Sequence, residues 1–285
     1  MRFAKLHGLG NDFLLIDLRG AGDGCAQPGA GGGGLSAAEV RALCDRHTGV
    51  GADGILTLTS SASADAKMII QNADGSVPEM CGNGARCAAL WIATGRCTRE
   101  GSGRVLLETA AGIRPCAVVA EGPARGSVEV EMGVPRVEAQ RIFAVAGEQI
   151  RATPVAVGNP HLVIFIDRPG EFRSEVADSR EQLASLAVTA GRALCAAENA
   201  NVEFALRLAP QHYLVAVWER GAGLTRACGT GACGVAAAAI SGGHANAHEP
   251  IAIELPGGSL HIELDPGTGQ LRMRGPAELI YRGET

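Results

Sequence analysis

No CxxC pair occurs among the nine cysteines. That absence disfavours zinc ribbons and thioredoxin-type redox motifs, which are built on this spacing. Nine is an odd number, and the opening MRFAKLHGLGNDF has neither an apolar h-region nor a cleavage site. We therefore expect no full disulfide framework, no signal peptide and a soluble cytoplasmic protein. No apolar run reaches membrane-spanning length, so no membrane partner is expected. Basic surplus is also missing: 25 Lys and Arg face 30 Asp and Glu, a net charge of −5. Nothing is left over to neutralise phosphates, which argues against a nucleic-acid binder. Charged residues are only 19% and hydrophobic ones 46% of 285 residues, so the chain is globular and long enough for about two lobes.

Glycine, by contrast, is abundant at 40 residues, and much of it sits in short motifs that suit tight turns and close backbone approach. Phe3 to Leu18 reads as a strand entered through a Gly-rich turn, and Gly20 to Gly34 as a flexible surface loop. Ser36 to Glu39 is a capping box for a helix running to about Asp45. Gly49 to Leu58 reads as a turn into a strand, and Lys67 to Gln71 as a strand ending in the turn NADG. Further strands are expected at Val105 to Glu108, Ala117 to Ala120 and Val128 to Met132.

After these strands the chain begins again. Cys81-Gly82-Asn83-Gly84-Ala85 matches Cys228-Gly229-Thr230-Gly231-Ala232, 147 residues on. Gly10-Asn11 before an apolar run matches Gly158-Asn159 before another, 148 residues on. Two landmarks in one order at nearly one spacing point to an internal duplication. Each CGxGA opens an apolar, Ala-rich stretch, read as a helix buried on every side. The expected fold is therefore α+β: two similar lobes, each wrapping strands around one central helix, with a cysteine at that helix's N-terminus.

A helix N-terminus presents unpaired backbone N–H groups and a positive dipole end. It binds a carboxylate and is expected to lower a thiol's pKa. Two such termini facing each other would hold one carboxylate with a thiol on each side. That arrangement suits inversion at the α-carbon: one cysteine removes the α-proton as thiolate, and the other returns a proton to the opposite face. The N-termini then stabilise the carbanion charge that spreads onto the carboxylate. No metal cluster appears and no lysine context reads as a pyridoxal phosphate site, so neither metal nor cofactor is expected. A Cys81–Cys228 disulfide is the sharpest alternative, and in a reducing compartment it would be a reversible inactive form. Asn11 pairs with Asn159 across the repeats, and Asn72 with Glu219. His161, in GNPH, is the histidine that stands beside these motifs.

At this point the motifs HGLGNDF, GVGADG, NADGS, EMCGNGARC, TAAG, GNPH, NVEF, ERGAG and TRACGTGAC resemble the diaminopimelate epimerase family, over Lys5 to Cys233. The resemblance implies two lobes of like topology, each a mixed, barrel-like sheet around a central helix. We expect 1–131 plus 275–285 as the first lobe and 132–274 as the second, with the site in the cleft between them. It implies a cofactor-independent isomerase that converts LL-diaminopimelate to the meso form, toward lysine and peptidoglycan precursors. Carried over, it makes Cys81 and Cys228 the acid–base pair, with His161 and Glu219 supporting the thiols. Gly82, Asn83, Gly229 and Thr230 would hold the reacting carboxylate by backbone N–H groups. Glu219 and the Arg220 backbone would hold the α-amino group. Asn72, Asn159, Asn201 and the Arg220 guanidinium would read the distal end, where an Arg suits bidentate carboxylate recognition. Asn11 would complete the pocket, and Tyr281 implies a homodimer.

This chain departs from that family at Gly54, where some members carry a substrate-contacting glutamine, and at Leu224 and Arg226 in the loop before Cys228. Two rival readings are a proline or hydroxyproline racemase of the same fold and a non-enzymatic dithiol module. The distal-end set Asn72, Asn201 and Arg220 would have little purpose with a substrate lacking a second head group.

Overall fold

The computed structural model describes residues 1–19, 34–96, 102–145, 147–166 and 176–285. Cys25, Cys97 and residues 20–33 of the Gly-rich stretch lie outside them. The chain divides into two compact units, Met1–Glu131 with Arg274–Thr285, and Met132–Met273.

In the first unit β1 (Arg2–Gly8) and β2 (Asn11–Asp17) are followed by helix α1 (Ala37–Cys44), β3 (Gly54–Thr59) and β4 (Ala66–Asn72). Helix α2 (Gly82–Arg96) and strands β5 (Ser102–Thr109), β6 (Gly112–Ala120) and β7 (Arg125–Gly133) complete the first pass. The Phe3–Leu18 segment is thus two strands and not one. Leu9 and Gly10 both take positive φ, 59° and 77°, and fold them into a hairpin. Paired positive φ is the twist-matched geometry for a two-residue hairpin loop. Ser36 forms the expected capping box with Glu39.

The second unit carries β8 (Arg136–Val137), β9 (Arg141–Val145), β10 (Glu148–Val157) and β11 (Asn159–Ile166). Helix α3 (Val176–Leu186), a π-turn over Ala187–Gly191 and α4 (Arg192–Glu198) precede β12 (Asn201–Ala209) and β13 (His212–Glu219). Then come β14 (Gly223–Leu224), α5 (Gly229–Ser241), β15 (Ile251–Leu255) and β16 (Gly258–Leu264). The last strand, β17 (Leu271–Glu284), starts in the second unit and ends in the first.

Pairing order shows the duplication. In the first unit β1–β2 is antiparallel, β2–β3 parallel, β3–β4 antiparallel, β4–β5 parallel and β5–β6 antiparallel. In the second, β10–β11, β11–β12, β12–β13, β13–β15 and β15–β16 repeat that series. Register agrees too: Phe13 pairs with Gly54 as His161 pairs with Asn201. In the first unit β6 also pairs with β7, β7 with β17 and β17 with β1, which closes an eight-stranded ring.

Strands β2, β3, β11, β12 and β13 are buried on both faces, so they read as continuous apolar runs. On the outer face Leu14, Ile16 and Ile55 pack with Val40 and Cys44 of α1. In the second unit Leu162, Ile164, Val202 and Phe204 pack with Leu183 of α3 and Leu194 of α4. Alternation sends Phe13, Leu56, His161 and Glu203 to the inner face. That face holds α2, which touches β1 to β6, or α5, which touches β10 to β12, β15 and β16. Both helices are buried all round their first turns, because mostly small side chains, Gly, Ala, Cys and Thr with Asn83 in α2, leave room for strands on every side. Arg86 is the exception, a wholly buried guanidinium in α2. Among the described residues no helix is long and apolar enough to cross a membrane.

Candidate active site

Each CGxGA motif forms the same local device. Cys228 is the N-cap of α5, with extended φ −127° and ψ 112°, and its sulfur accepts the Gly231 N–H at 3.4 Å. The Thr230 hydroxyl lies 3.5 Å from the same sulfur. Cys81 precedes α2, and its sulfur accepts the Gly84 N–H at 3.3 Å. Each sulfur therefore satisfies one of the amides left over at a helix start. Gly82 and Asn83, and likewise Gly229 and Thr230, form the first turns behind the thiols, and all four are buried. Cys81 is half-buried and Cys228 buried.

In the first unit a directed chain of hydrogen bonds orients the amides. Arg86 Nη2 donates to Asn83 Oδ1 at 2.8 Å. Asn83 Nδ2 donates to Asn11 Oδ1, and Asn11 Nδ2 to Asp53 Oδ2, each at 3.0 Å. Asp53 Oδ1 in turn accepts from Arg46 at 2.7 Å. Arg86 reaches its place because Gly8 has no side chain: a Cβ there would lie 2.8 Å from Nη2. Asn72 ends β4, and its Nδ2 donates to Ser76 Oγ at 3.0 Å across the NADG turn. Gly54 has its own reason to be glycine, since a Cβ would meet the Gln71 carbonyl oxygen at 2.6 Å.

In the second unit β11, β12 and β13 bring four of the predicted residues onto one sheet. Asn159 opens β11, His161 follows it, Asn201 opens β12 and Glu219 ends β13. Asn201 Oδ1 accepts the Arg220 backbone N–H at 2.9 Å, so Arg220 is held by its main chain. Glu219 accepts the Thr225 hydroxyl and a hydrogen bond from Cys228. Burial nevertheless pushes the Glu219 carboxyl above the usual range, helped by the nearby Glu203 charge. Leu224 and Arg226 are exposed, so the family departures there lie on the outside. Tyr281, on β17, is 45% exposed.

Two findings correct or extend the sequence reading. A helix start was expected to lower the thiol pKa, yet Cys228 is driven well above its ordinary value. Desolvation is the main cause, followed by the charges of Glu219 and Glu203. The second is Glu203, which sequence reasoning passed over. Its Oε1 lies 2.7 Å from His161 Nδ1, and both side chains are wholly buried. The available signal was a carboxylate inside the apolar run NVEFAL. Among the described residues no group of three or more His, Cys, Asp or Glu is placed to hold a metal ion.

Comparison with known proteins agrees with this geometry. The chain is 39% identical over 302 residues to the diaminopimelate epimerase of Synechococcus sp. (strain JA-2-3B'a(2-13)), covering 100% of this chain and 98% of the relative. It is 39% identical over 296 residues to that of Rhodospirillum centenum, covering 99% and 91%. Among solved structures, a probable proline racemase from Agrobacterium radiobacter K84 superposes with TM-score 0.76 at 17% identity, covering 100% and 92%. A hydroxyproline epimerase from Agrobacterium vitis superposes with TM-score 0.73 at 17% identity, covering 99% and 91%. Those two likenesses are of fold. The family model for diaminopimelate epimerase matches residues 3–138 and 153–280, nearly the whole length. On sequence match, duplicated fold and paired capping cysteines together, the chain belongs to the diaminopimelate epimerase family.

Proposed function

We propose that this protein interconverts LL- and meso-diaminopimelate without a cofactor, by proton transfer between Cys81, Cys228 and opposite faces of one α-carbon. The observation that carries the reading is the repeated device, a cysteine sulfur at the start of a buried helix in each unit. One thiolate takes the α-proton and the other thiol supplies a proton, so the C–H bond broken on one face is replaced on the other. The carbanion charge passes onto the α-carboxylate, which the amides of Gly82, Asn83, Gly229 and Thr230 are suited to bind. Glu219 and the Arg220 main chain hold the α-ammonium group. His161 and Glu219 support the thiols. Asn72, Asn159, Asn201 and the Arg220 guanidinium read the distal head group, and Asn11 completes the pocket. A homodimer belongs to the same proposal, resting on the exposed pair Ile280 and Tyr281 on β17, and a cytoplasmic location goes with the biosynthetic role proposed.

The test is proton NMR of the reduced protein with LL-diaminopimelate in D₂O. The α-proton signal should disappear as the meso form appears. Cys81→Ala and Cys228→Ala should each lose about 10²–10⁴-fold in turnover, the usual worth of a general acid or base. Full turnover in either single variant excludes a two-base mechanism. Exchange with proline but not diaminopimelate moves the assignment to the racemase relatives.

A further inference from the structure

The two repeats put different chemistry behind their thiols. Glu203 pairs with Val163 across β11–β12, as Leu56 pairs with Leu15 across β2–β3. His161 likewise takes the place of Phe13, both opposite the first residue of the parallel neighbour. Behind α2 the inner face is therefore Phe13 and Leu56, and behind α5 it is His161 and Glu203. The contacts agree: a Cβ at Gly84 would lie 2.8 Å from Leu56 Cδ2, and one at Gly231 would lie 2.6 Å from Glu203 Oε1. These are the glycines whose N–H groups cap the two sulfurs.

The first unit shows that this fold accommodates an apolar pair at these positions. A wholly buried His–Glu pair is no better for stability than a hydrophobic one. It is also incompletely satisfied, since Glu203 Oε2 and His161 Nε2 have no hydrogen-bond partner among the described residues. Buried polar groups left so are costly and call for a functional explanation.

We propose that Glu203 is a positioning residue that makes the two thiols unequal: with His161 it keeps the proton on Cys228 in the resting protein and leaves Cys81 to carry the thiolate. This rests on the two-thiol reading above. With Glu203 accepting from Nδ1–H, His161 is fixed as the tautomer whose buried Nε2 is an acceptor. The groups facing this place are Glu203 on β12, with His161 on β11 bonded to it, Glu219 on β13 and Thr230 on α5. Both carboxylates oppose a thiolate at Cys228, while the Thr230 hydroxyl and the Gly231 N–H favour it. In the forward step the Cys81 sulfur accepts the α-proton while the S–H bond of Cys228 breaks, its sulfur keeping the electron pair. Cys81 is then the thiol and Cys228 the thiolate, and the return of the resting form moves one proton back.

The ratio of kcat/KM in the two directions is set by the equilibrium constant, so activity cannot report this asymmetry. The experiment is a pH titration by NMR of protein carrying ¹³C at the cysteine Cβ, with signals assigned through Cys81→Ala and Cys228→Ala. In the unmutated protein Cys81 should ionise at lower pH than Cys228. Glu203→Gln, which keeps the shape and removes the charge, should bring the Cys228 titration down by about one pH unit or more. Glu203→Asp should hold it near its original place, and Cys81 should not move in either variant. Ionisation of Cys228 before Cys81 overturns the proposal whether or not any variant folds. So does a Glu203→Gln protein with both titrations unchanged. Absence of diaminopimelate turnover in the unmutated protein would instead overturn the proposed function and leave the titration order standing.

Discussion

Gly231 sits directly over Glu203. Its N–H caps the Cys228 sulfur, and the space its Cβ would take is 2.6 Å from a carboxylate oxygen. That oxygen is tied to His161 and cannot swing away. Gly231→Ala should therefore destabilise the protein by about 1–3 kcal/mol through overpacking, and lower turnover by displacing the thiol. Gly84→Ala meets the end of the Leu56 side chain at 2.8 Å, which can turn aside. Its cost should fall at the lower end of that range. Urea midpoints at unchanged m-value measure both. Equal costs would show that the Glu203 carboxylate yields as freely as a leucine methyl.

The chain from Arg86 through Asn83 and Asn11 to Asp53 makes a second prediction. Asn83→Ala removes the middle of it and takes a partner from a buried guanidinium and from Asn11. The expected cost is about 1–3 kcal/mol, the penalty for unmaking buried polar contacts. KM should rise as well, because Asn11 loses the bond that sets its amide. A variant with normal stability and normal KM would show that the chain orients nothing.

Asp12 predicts how acid acts on the first unit. Burial by itself would raise this carboxyl, but hydrogen bonds from Arg46 and Lys5 prevail and hold it well below the usual carboxylate range. A depressed folded pKa adds stability above the unfolded value of about 4, and that stability is lost as pH falls toward the folded one. Asp12→Asn should thus be clearly less stable at pH 7. The gap should close progressively below about pH 4, followed by chemical denaturation. A gap that stays constant to pH 2.5 would mean that Asp12 contributes shape and not charge.

Thr225 lies in the loop before Cys228, and its hydroxyl donates to the buried Glu219 carboxylate. That bond favours the ionised form. Thr225→Val should leave the fold intact and push the Glu219 pKa further up. The acid limb of the kcat/KM profile should then move to higher pH, with activity at neutral pH reduced. An unmoved limb would show that Glu219 is not the group titrating there.

Much of this site can be read from sequence because its parts are local. A cysteine followed by two spaced glycines and a run of small residues implies a capped, wholly buried helix, and α2 and α5 are that. Recurrence at nearly one spacing implies two like lobes. What escapes is decided by partners distant in sequence. His161 and Glu203 are 42 residues apart and meet only through parallel pairing of β11 and β12. Parallel register leaves no local signature. Arg86 can lie wholly buried in α2 only because Gly8 on β1, far off in sequence, leaves its space. The Cys228 thiol went the other way from expectation because burial and two nearby carboxylates raise it, although it caps the helix start. Both carboxylates come from neighbouring strands, Glu203 on β12 and Glu219 on β13, which the sequence around Cys228 does not announce.

The final strand joins the two units in time as well as in sequence. β1 has β17 as its antiparallel partner, so the first ring cannot close until residues after Arg274 have left the ribosome. The second unit, drawn from one unbroken stretch, has no such wait. During synthesis the earlier repeat is then the later to finish, holding an open strand edge beside β1 while its duplicate folds. An edge of that kind invites pairing with another nascent chain, and expression at high density should reveal it as aggregation that depends on the last twelve residues.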